Sequence, residues 1–173
     1  MKKVGLWQLA GFATTSLAGT LLHFLYDWSG KALLAAPFSG VNESTWEHMK
    51  LLFWPIFIYA IAQSFFFREQ KNFWCVKLRG ILIGLILIPV LFYAYNGVIG
   101  KSPDWINIAI FFISAAVSYI YETRQLGKEN SSCAYPKNSL AILCGIGLLF
   151  ILFTFLTPTL NIFMDPLTGT YGI

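Results

Sequence analysis

Residues 81–99 read ILIGLILIPVLFYAYNGVI, and no Asp, Glu, Lys or Arg interrupts this stretch. A helix rises about 1.5 Å per residue, so a stretch of this length nearly covers the ~30 Å hydrocarbon core of a bilayer. Backbone amides find no water in lipid, and a spanning segment must therefore satisfy them within a helix. The stretch predicts a membrane-spanning α-helix.

Comparable apolar stretches lie on both sides of this one. Spans are predicted at about residues 4–26, 44–67, 81–99, 105–121 and 140–160. With 173 residues, no internal repeat and no long linker, the chain has room for one domain. The sequence therefore predicts an all-α fold, a single domain over residues 1–173 that forms an integral membrane bundle of five transmembrane helices.

Composition agrees with a protein whose main surroundings are the lipid bilayer. The chain is 57% hydrophobic and 12% charged, whereas soluble domains are about 25% charged. Its net charge of +4 is small and broken up by apolar runs, so no nucleic acid partner is expected.

The distribution of Lys and Arg predicts the orientation of the helices. Nine of these residues fall at one side of the predicted bundle and three at the other. Because basic residues concentrate on the cytoplasmic side, the N-terminus is expected inside and the C-terminus outside. Both histidines and most carboxylates then lie at the outer side, namely His23, Asp27, Glu43, Glu47, His48, Asp104 and Asp165. Glu69, Glu122 and Glu129 are expected inside, as solvated loop charges.

The first span carries a stripe of residues spaced four apart, Gly11, Thr15, Gly19, His23 and Asp27. Residues at this spacing share one face of a helix. The small residues predict close approach of another helix, and the same face then presents an imidazole and a carboxylate near the outer boundary. Either these two belong to a site, or the imidazole bonds a neighbouring helix and the carboxylate lies among headgroups.

The second span opens with residues 42–50, NESTWEHMK. Ser44 and Glu47 have the spacing of a capping box, in which Ser44 is the N-cap and Glu47 reaches back to it. Capping leaves Glu43 and His48 unexplained. Two interpretations therefore stand, a cap alone and a cap that also carries a site.

Two more segments belong to the same outer end. Residues 164–173, MDPLTGTYGI, contain turn residues and are expected to fold back across the outer mouth with Asp165 near the site. A short frayed terminus is the alternative. Asn96 lies near the outer end of the third span.

These residues predict an outward-facing site. The candidate catalytic residues are Glu47 and His48, the candidate metal ligands are His23, His48 and Glu47, and the candidate ligand-binding residues are Asp27, Glu43, Asn96 and Asp165. Two imidazoles with one or two carboxylates suit Zn²⁺ or non-haem Fe²⁺ and leave a position for water. A metal-free polar or proton-binding site remains the alternative.

The motif N-E-S-T-W-E-H-x-K at residues 42–50, with His23, Asp27 and the D-P-x-T-G-x-Y-G tail at residues 165–172, resembles an uncharacterised family of small prokaryotic multi-pass membrane proteins. The resemblance covers essentially the whole chain. It implies the cytoplasmic (inner) membrane of a bacterium or archaeon and implies no activity. Alkaline ceramidases and progestin-type receptors are a looser comparison, and they have seven spans and more histidines.

Three functions follow from the residues. The first is a metal-dependent membrane hydrolase that acts on a lipid-like or amphiphilic substrate at the outer leaflet. The second is an ion or proton-coupled transporter or channel component, in which a homo-oligomer would supply a pore. Few polar residues in the inner halves of the spans argue against transport. The third is a non-catalytic, partner-binding membrane subunit.

Overall fold

Five antiparallel α-helices build the structure, a computed structural model that describes residues 2–128 and 138–173. In chain order they are α1 Lys2–Trp28, α2 Thr45–Ser64, α3 Phe73–Val98, α4 Asp104–Leu126 and α5 Ser139–Phe155, followed by a 3-10 turn at Asn161–Phe163. The described ranges contain no strand, although Met164 and Tyr171 form an isolated bridge. The prediction of an all-α fold with five helices is confirmed.

Three of these helices are long and apolar enough to cross a membrane: Lys3–Trp28, Phe73–Val98 and Trp105–Leu126. α5 is also apolar but has only 17 residues. Along α1, Leu6, Leu9 and Leu17 are between 64% and 70% exposed. A contiguous apolar surface of this kind calls for an apolar environment or a partner. Membrane insertion of all five helices stays a prediction.

α2 is the innermost helix of the bundle. Its Leu52, Phe53 and Ile56 are completely buried, and they belong to one core together with side chains of α3, α4 and α5. Phe53 contacts Phe57 and, across the bundle, Phe150 of α5, with ring centroids 5.3 Å and 5.1 Å away. A helix that is apolar on nearly every face is one that its neighbours surround. α2 therefore positions whatever its N-terminus carries.

α1 packs closely on α4 and α2 through the predicted small residues. A Cβ atom at Gly11 would clash with the rings of Tyr59 and Tyr119, and one at Gly19 would clash with Phe111. Between these two glycines, Thr15 hydrogen-bonds the Tyr119 hydroxyl at 2.7 Å. The close approach predicted from the four-residue spacing is confirmed.

Glu122 was expected in a solvated loop, and this expectation is wrong. α3 begins at Phe73 and α4 continues to Leu126, so both Lys77 and Glu122 lie inside helices. The two side chains are completely buried and form an ion pair of 2.5 Å. Hydropathy ends a span at its first charges, but a helix can continue where two opposite charges neutralise each other across the bundle. Thus a buried charged pair lies at the end of the bundle opposite the histidines.

The connection between α1 and α2 folds back onto both helices. Ser39 Oγ accepts a hydrogen bond from the Tyr26 N–H at 2.8 Å and donates one to the Leu22 carbonyl at 2.5 Å. Trp54 of α2 donates its indole N–H to the Pro37 carbonyl at 2.9 Å. These bonds fix the path of the chain into residues 40–44, just before α2 begins.

Candidate metal centre

A helix cap at Ser44 holds the first turn of α2. The Ser44 Oγ accepts a hydrogen bond from the Glu47 N–H at 3.4 Å, which confirms the predicted N-cap. The return bond differs from a capping box, because the Glu47 carboxylate accepts from the Val41 N–H at 3.0 Å. The Ser44 N–H donates to Asn42 Oδ1 at 2.9 Å. Residues 41–43 are therefore fastened to the start of the helix.

Glu47 itself is engaged in an ion pair inside the protein. Its Oε2 lies 2.6 Å from Lys50 Nζ, and both side chains are almost completely buried. The ammonium of Lys50 also donates to the Ala36 carbonyl at 2.7 Å and to Thr154 Oγ1 at 3.1 Å. That Glu47 acts as a base or as a metal ligand stays a prediction. In this structure its carboxylate is paired with Lys50 instead.

Glu43 is the carboxylate that the structure brings to both histidines. Its Oε1 lies 3.6 Å from His23 Nε2, and its Oε2 lies 3.7 Å from His48 Nε2. One ligand atom from each of the three residues lies within 4.8 Å of the other two. The imidazole rings meet edge to face, with centroids 5.8 Å apart. We call this group, His23, Glu43 and His48, the His/Glu cluster.

A backbone contact sets the orientation of His48. Its Nδ1 lies 3.0 Å from the Ser44 carbonyl oxygen. Because a carbonyl oxygen can only accept, Nδ1 carries a proton, and in the neutral ring Nε2 keeps its lone pair. Metal-binding histidines commonly have their second nitrogen fixed in this way. His48 therefore presents a free nitrogen lone pair at the position where Glu43 and His23 meet.

The donor set fits a divalent ion. Bonds of about 2.0–2.1 Å in a tetrahedron place ligand atoms about 3.3 Å apart, and the two nitrogen–oxygen distances here are 3.6 Å and 3.7 Å. These two distances involve different oxygens of Glu43, and one ligand atom from each residue lies within 4.8 Å of the others, so shifts of up to about 1.5 Å would close the cluster around an ion. Two imidazoles and a carboxylate are a ligand set of catalytic zinc and non-haem iron sites, and they leave positions for water or substrate. The partly exposed side chains of His23 and Glu43 would leave a bound ion accessible.

The cluster forms one wall of a pocket of about 450 Å³, within the ~300–1,000 Å³ range of small-molecule sites. The pocket lies among α1, α2, α3 and α4, and much of its lining is apolar, including Phe92, Phe111 and Phe112. Polar groups come from the connection between α3 and α4 and its flanks: Asn96, Lys101, Ser102 and Asn107. A polar side and an apolar side therefore meet in one cavity.

Hydrogen bonds brace the polar side of this pocket. Asn96 Oδ1 accepts from the Ser102 N–H at 2.9 Å, and Asn96 Nδ2 donates to the Phe92 carbonyl at 2.7 Å. Ser102 Oγ donates to Asn107 Oδ1 at 2.9 Å. Asn96, predicted as a ligand-binding residue, lines the pocket, and these bonds use it to hold the α3–α4 connection.

The other predicted residues lie around the pocket without joining its lining. Asp27 is exposed at the end of α1. Asp165 is buried, and its Oδ1 accepts from the Leu167 N–H at 2.8 Å in a turn of the C-terminal tail. That turn places Pro166 and Leu167 in the pocket wall, and Asn42 Nδ2 holds the tail through the Gly172 carbonyl at 3.0 Å. The tail thus folds back over the end of the bundle that carries the histidines.

Several residues of the pocket escaped the sequence analysis. Lys101 and Asn107 lie on either side of the start of α4, and neither belongs to a motif. One available signal was their proximity in sequence to Asn96, since α3 and α4 are joined by a short loop.

Lys77 and Glu122 had no sequence signal, because they lie 45 positions apart and meet only when α3 packs on α4.

Together these features define a small all-helical protein with helices able to cross a membrane and a His/Glu cluster in a pocket at one end. The chain belongs to the family of unknown function DUF6512, whose sequence profile matches residues 1–173. Neither a curated protein nor a solved structure matches the chain.

Proposed function

We propose that the chain is a multi-pass protein of a prokaryotic cytoplasmic membrane, with its N-terminus inside and the His/Glu cluster facing outside. The distribution of basic residues between the two ends of the bundle supports this orientation. The antiparallel helices place the cluster and the Lys77–Glu122 pair at opposite ends. Lys77 and Lys50 are buried, and omitting both from the sequence count leaves eight basic residues on the predicted inner side against two on the predicted outer side. The positive-inside rule then favours the same topology.

Reporter fusions test the topology. A C-terminal alkaline phosphatase, active only outside the cytoplasm, should show activity, whereas a C-terminal green fluorescent protein exported by the same route should stay dark. An N-terminal fluorescent fusion serves as the control and should fluoresce. Fluorescence from the C-terminal fusion would reverse the bundle and place the pocket at the cytoplasmic face.

The pocket supports a metal-dependent hydrolase of amphiphilic substrates. One observation carries this proposal, namely that His23, Glu43 and His48 bring their ligand atoms within 4.8 Å of one another at the wall of a largely apolar cavity. An ion held there would lower the pKa of a bound water and supply a hydroxide nucleophile. Lys101 and the Asn107 carboxamide border the same space, where they can stabilise negative charge that develops on the substrate.

In this proposal the carboxylate ligand is Glu43, and Glu47 acts as a positioning residue. The Glu47 carboxylate holds the Val41 N–H, two residues before Glu43. Its ion pair with Lys50 fixes it in place. Glu47 therefore influences the metal through the conformation of residues 41–43.

Metal analysis tests the site directly. Protein purified without chelator should contain close to one zinc or iron per chain. His23→Ala, His48→Ala and Glu43→Gln should each lower that content at least tenfold, because each removes one of three ligands and even the loss of a group that only orients a ligand costs about 10–100-fold in affinity. Asp27→Asn is the matched control, since Asp27 is exposed near the same end and lies outside the cluster. Wild-type metal content in Glu43→Gln would refute the assigned ligand set.

One observation favours proton or ion-coupled transport as a second function. The buried Lys77–Glu122 pair supplies titratable groups in the inner half of the bundle, where the sequence analysis expected few polar residues. Intramembrane charges of this kind often mark ion or proton pathways. Proteoliposomes separate the two functions: a transporter should dissipate an imposed proton gradient and lose this activity in Glu122→Gln, whereas a hydrolase should leave the gradient unchanged.

A further inference from the structure

We propose that the pocket beside the His/Glu cluster binds a membrane lipid with an anionic, phosphate-bearing headgroup, which enters sideways between α1 and α4. The inference deepens the proposed function, because it names the substrate class of the same pocket. Lipid binding itself requires no metal, so the two proposals can fail separately.

The contacts between α1 and α4 show where a lipid can enter. In the inner half the two helices are in close contact, with Thr15 bonded to Tyr119 and Gly19 packed on Phe111. Beyond Gly19, towards the outer end, the pocket lies between the same two helices. The helix contact therefore ends where the cavity begins, and Gly19 and Phe111 form its floor.

Exposed side chains, and the partly buried Phe112, border this part of the pocket on both helices. On α1 they are Thr20 and Phe24, and on α4 they are Ile108 and Phe112, each pair spaced four residues apart on one helical face. Phe24 is 46% exposed and Ile108 is 58% exposed. Residues that both line a cavity and face outwards mark an opening, and the lateral surface of these helices is the one expected to face lipid tails. An acyl chain can thus pass from the bilayer into the pocket without crossing water.

Lys101 supplies the positive charge of the pocket, whose lining also holds the Glu43 carboxylate beside the two histidines. It is exposed, lines the cavity and makes no ion pair with any side chain that the structure describes. The nearby Asn107 carboxamide uses its oxygen to accept from Ser102, which leaves its NH₂ group as a donor. An ammonium with neutral donors beside it is a typical environment for a phosphate. Lys101 and the Asn107 donor above the apolar floor of Gly19 and Phe111 match a lipid with an anionic headgroup.

Binding of three soluble probes tests this inference. The full chain, purified in a non-ionic detergent, is titrated in a calorimeter with dioctanoyl phosphatidic acid, dioctanoylglycerol and inorganic phosphate. The phosphatidic acid should bind most tightly, dioctanoylglycerol more weakly, and inorganic phosphate without measurable affinity. Tight binding of inorganic phosphate alone would identify an anion site for free phosphate and overturn the lipid proposal, as would equal affinity for the two lipids.

Variants locate the binding. Lys101→Gln should weaken phosphatidic acid binding about fivefold or more and leave dioctanoylglycerol binding unchanged. Lys31→Gln is the matched control, because Lys31 is an exposed lysine at the same end and lies outside the pocket. Ile108→Trp should obstruct the opening and weaken both lipids together. An equal loss in Lys31→Gln and Lys101→Gln would reduce the effect to general surface charge and refute the site.

One more variant tests lipid binding separately from metal binding. His23→Ala, freed of metal, should still bind phosphatidic acid, since Lys101 and the apolar floor remain. Metal-loaded wild-type protein that binds no phosphatidic acid would overturn the lipid inference and leave the metal centre standing. Wild-type protein that contains no metal when it is purified without chelator, but binds the lipid, would do the reverse, removing the metal proposal and supporting this one.

Discussion

Replacing Glu47 with glutamine removes the negative charge that faces Lys50 inside the protein. The two groups are 2.6 Å apart, and their side chains are 4% and 0% exposed. At this distance the Coulomb attraction is about 6 kcal/mol for an effective dielectric constant of about 20. Loss of one partner from a buried pair costs about 3–5 kcal/mol, because the other charge stays buried. Glutamine keeps a neutral acceptor, so we expect about 3 kcal/mol.

Thermal unfolding measures this effect. For a chain of this size, about 3 kcal/mol corresponds to a melting temperature lower by roughly 6–12 °C. The double variant Glu47→Gln/Lys50→Met should recover part of the loss, because it removes the unpaired cation and an apolar side chain replaces it. Both proteins, when folded, should keep most of their metal.

The opposite result would show that the sequence-based role of Glu47 is correct. If Glu47→Gln melts like the wild type and contains no metal, the carboxylate is a ligand and the ion pair contributes nothing. Asp27→Asn serves as a control in the same assay, since Asp27 is exposed and its neutralisation should change neither quantity.

The remaining predictions also use thermal unfolding. Glu122→Gln should cost about 3 kcal/mol, since it strands the buried Lys77 ammonium; a wild-type melting temperature would show that water reaches the pair. Gly19→Ala should cost about 1–3 kcal/mol through its clash with Phe111, whereas Gly5→Ala, in open space on the same helix, should be neutral or stabilising by up to about 1 kcal/mol. Trp54→Phe leaves the Pro37 carbonyl without its indole donor and should cost about 1–2 kcal/mol; no loss would mean that the connection between α1 and α2 is held elsewhere.

Local patterns predicted much of the fold. Uninterrupted apolar stretches indicated all five helices, and Ser44 was identified as the N-cap from its spacing to Glu47. The four-residue spacing of Gly11, Thr15 and Gly19 indicated the close helix contact. Helix ends were less well predicted, since α3 begins at Phe73 rather than near residue 81 and α4 extends to Leu126 rather than to 121. Lys77 and Glu122 lie in these extensions and form a buried ion pair. Charged residues therefore do not end these two helices, contrary to the expectation.

Sequence patterns were enough to predict that the chain is helical, the approximate positions of its helices, and that both histidines share one end with most carboxylates. These properties depend on the hydropathy and hydrogen bonding of residues close together in the chain. The packing of the helices was needed to show that Glu43 rather than Glu47 faces the imidazoles, because Lys50 pairs with Glu47. It alone brought Lys101 and Asn107 to the same pocket. Packing between helices decides which polar groups meet. A buried charge such as that of Glu47 requires a partner, whereas the less buried carboxylate of Glu43 remains available to a ligand.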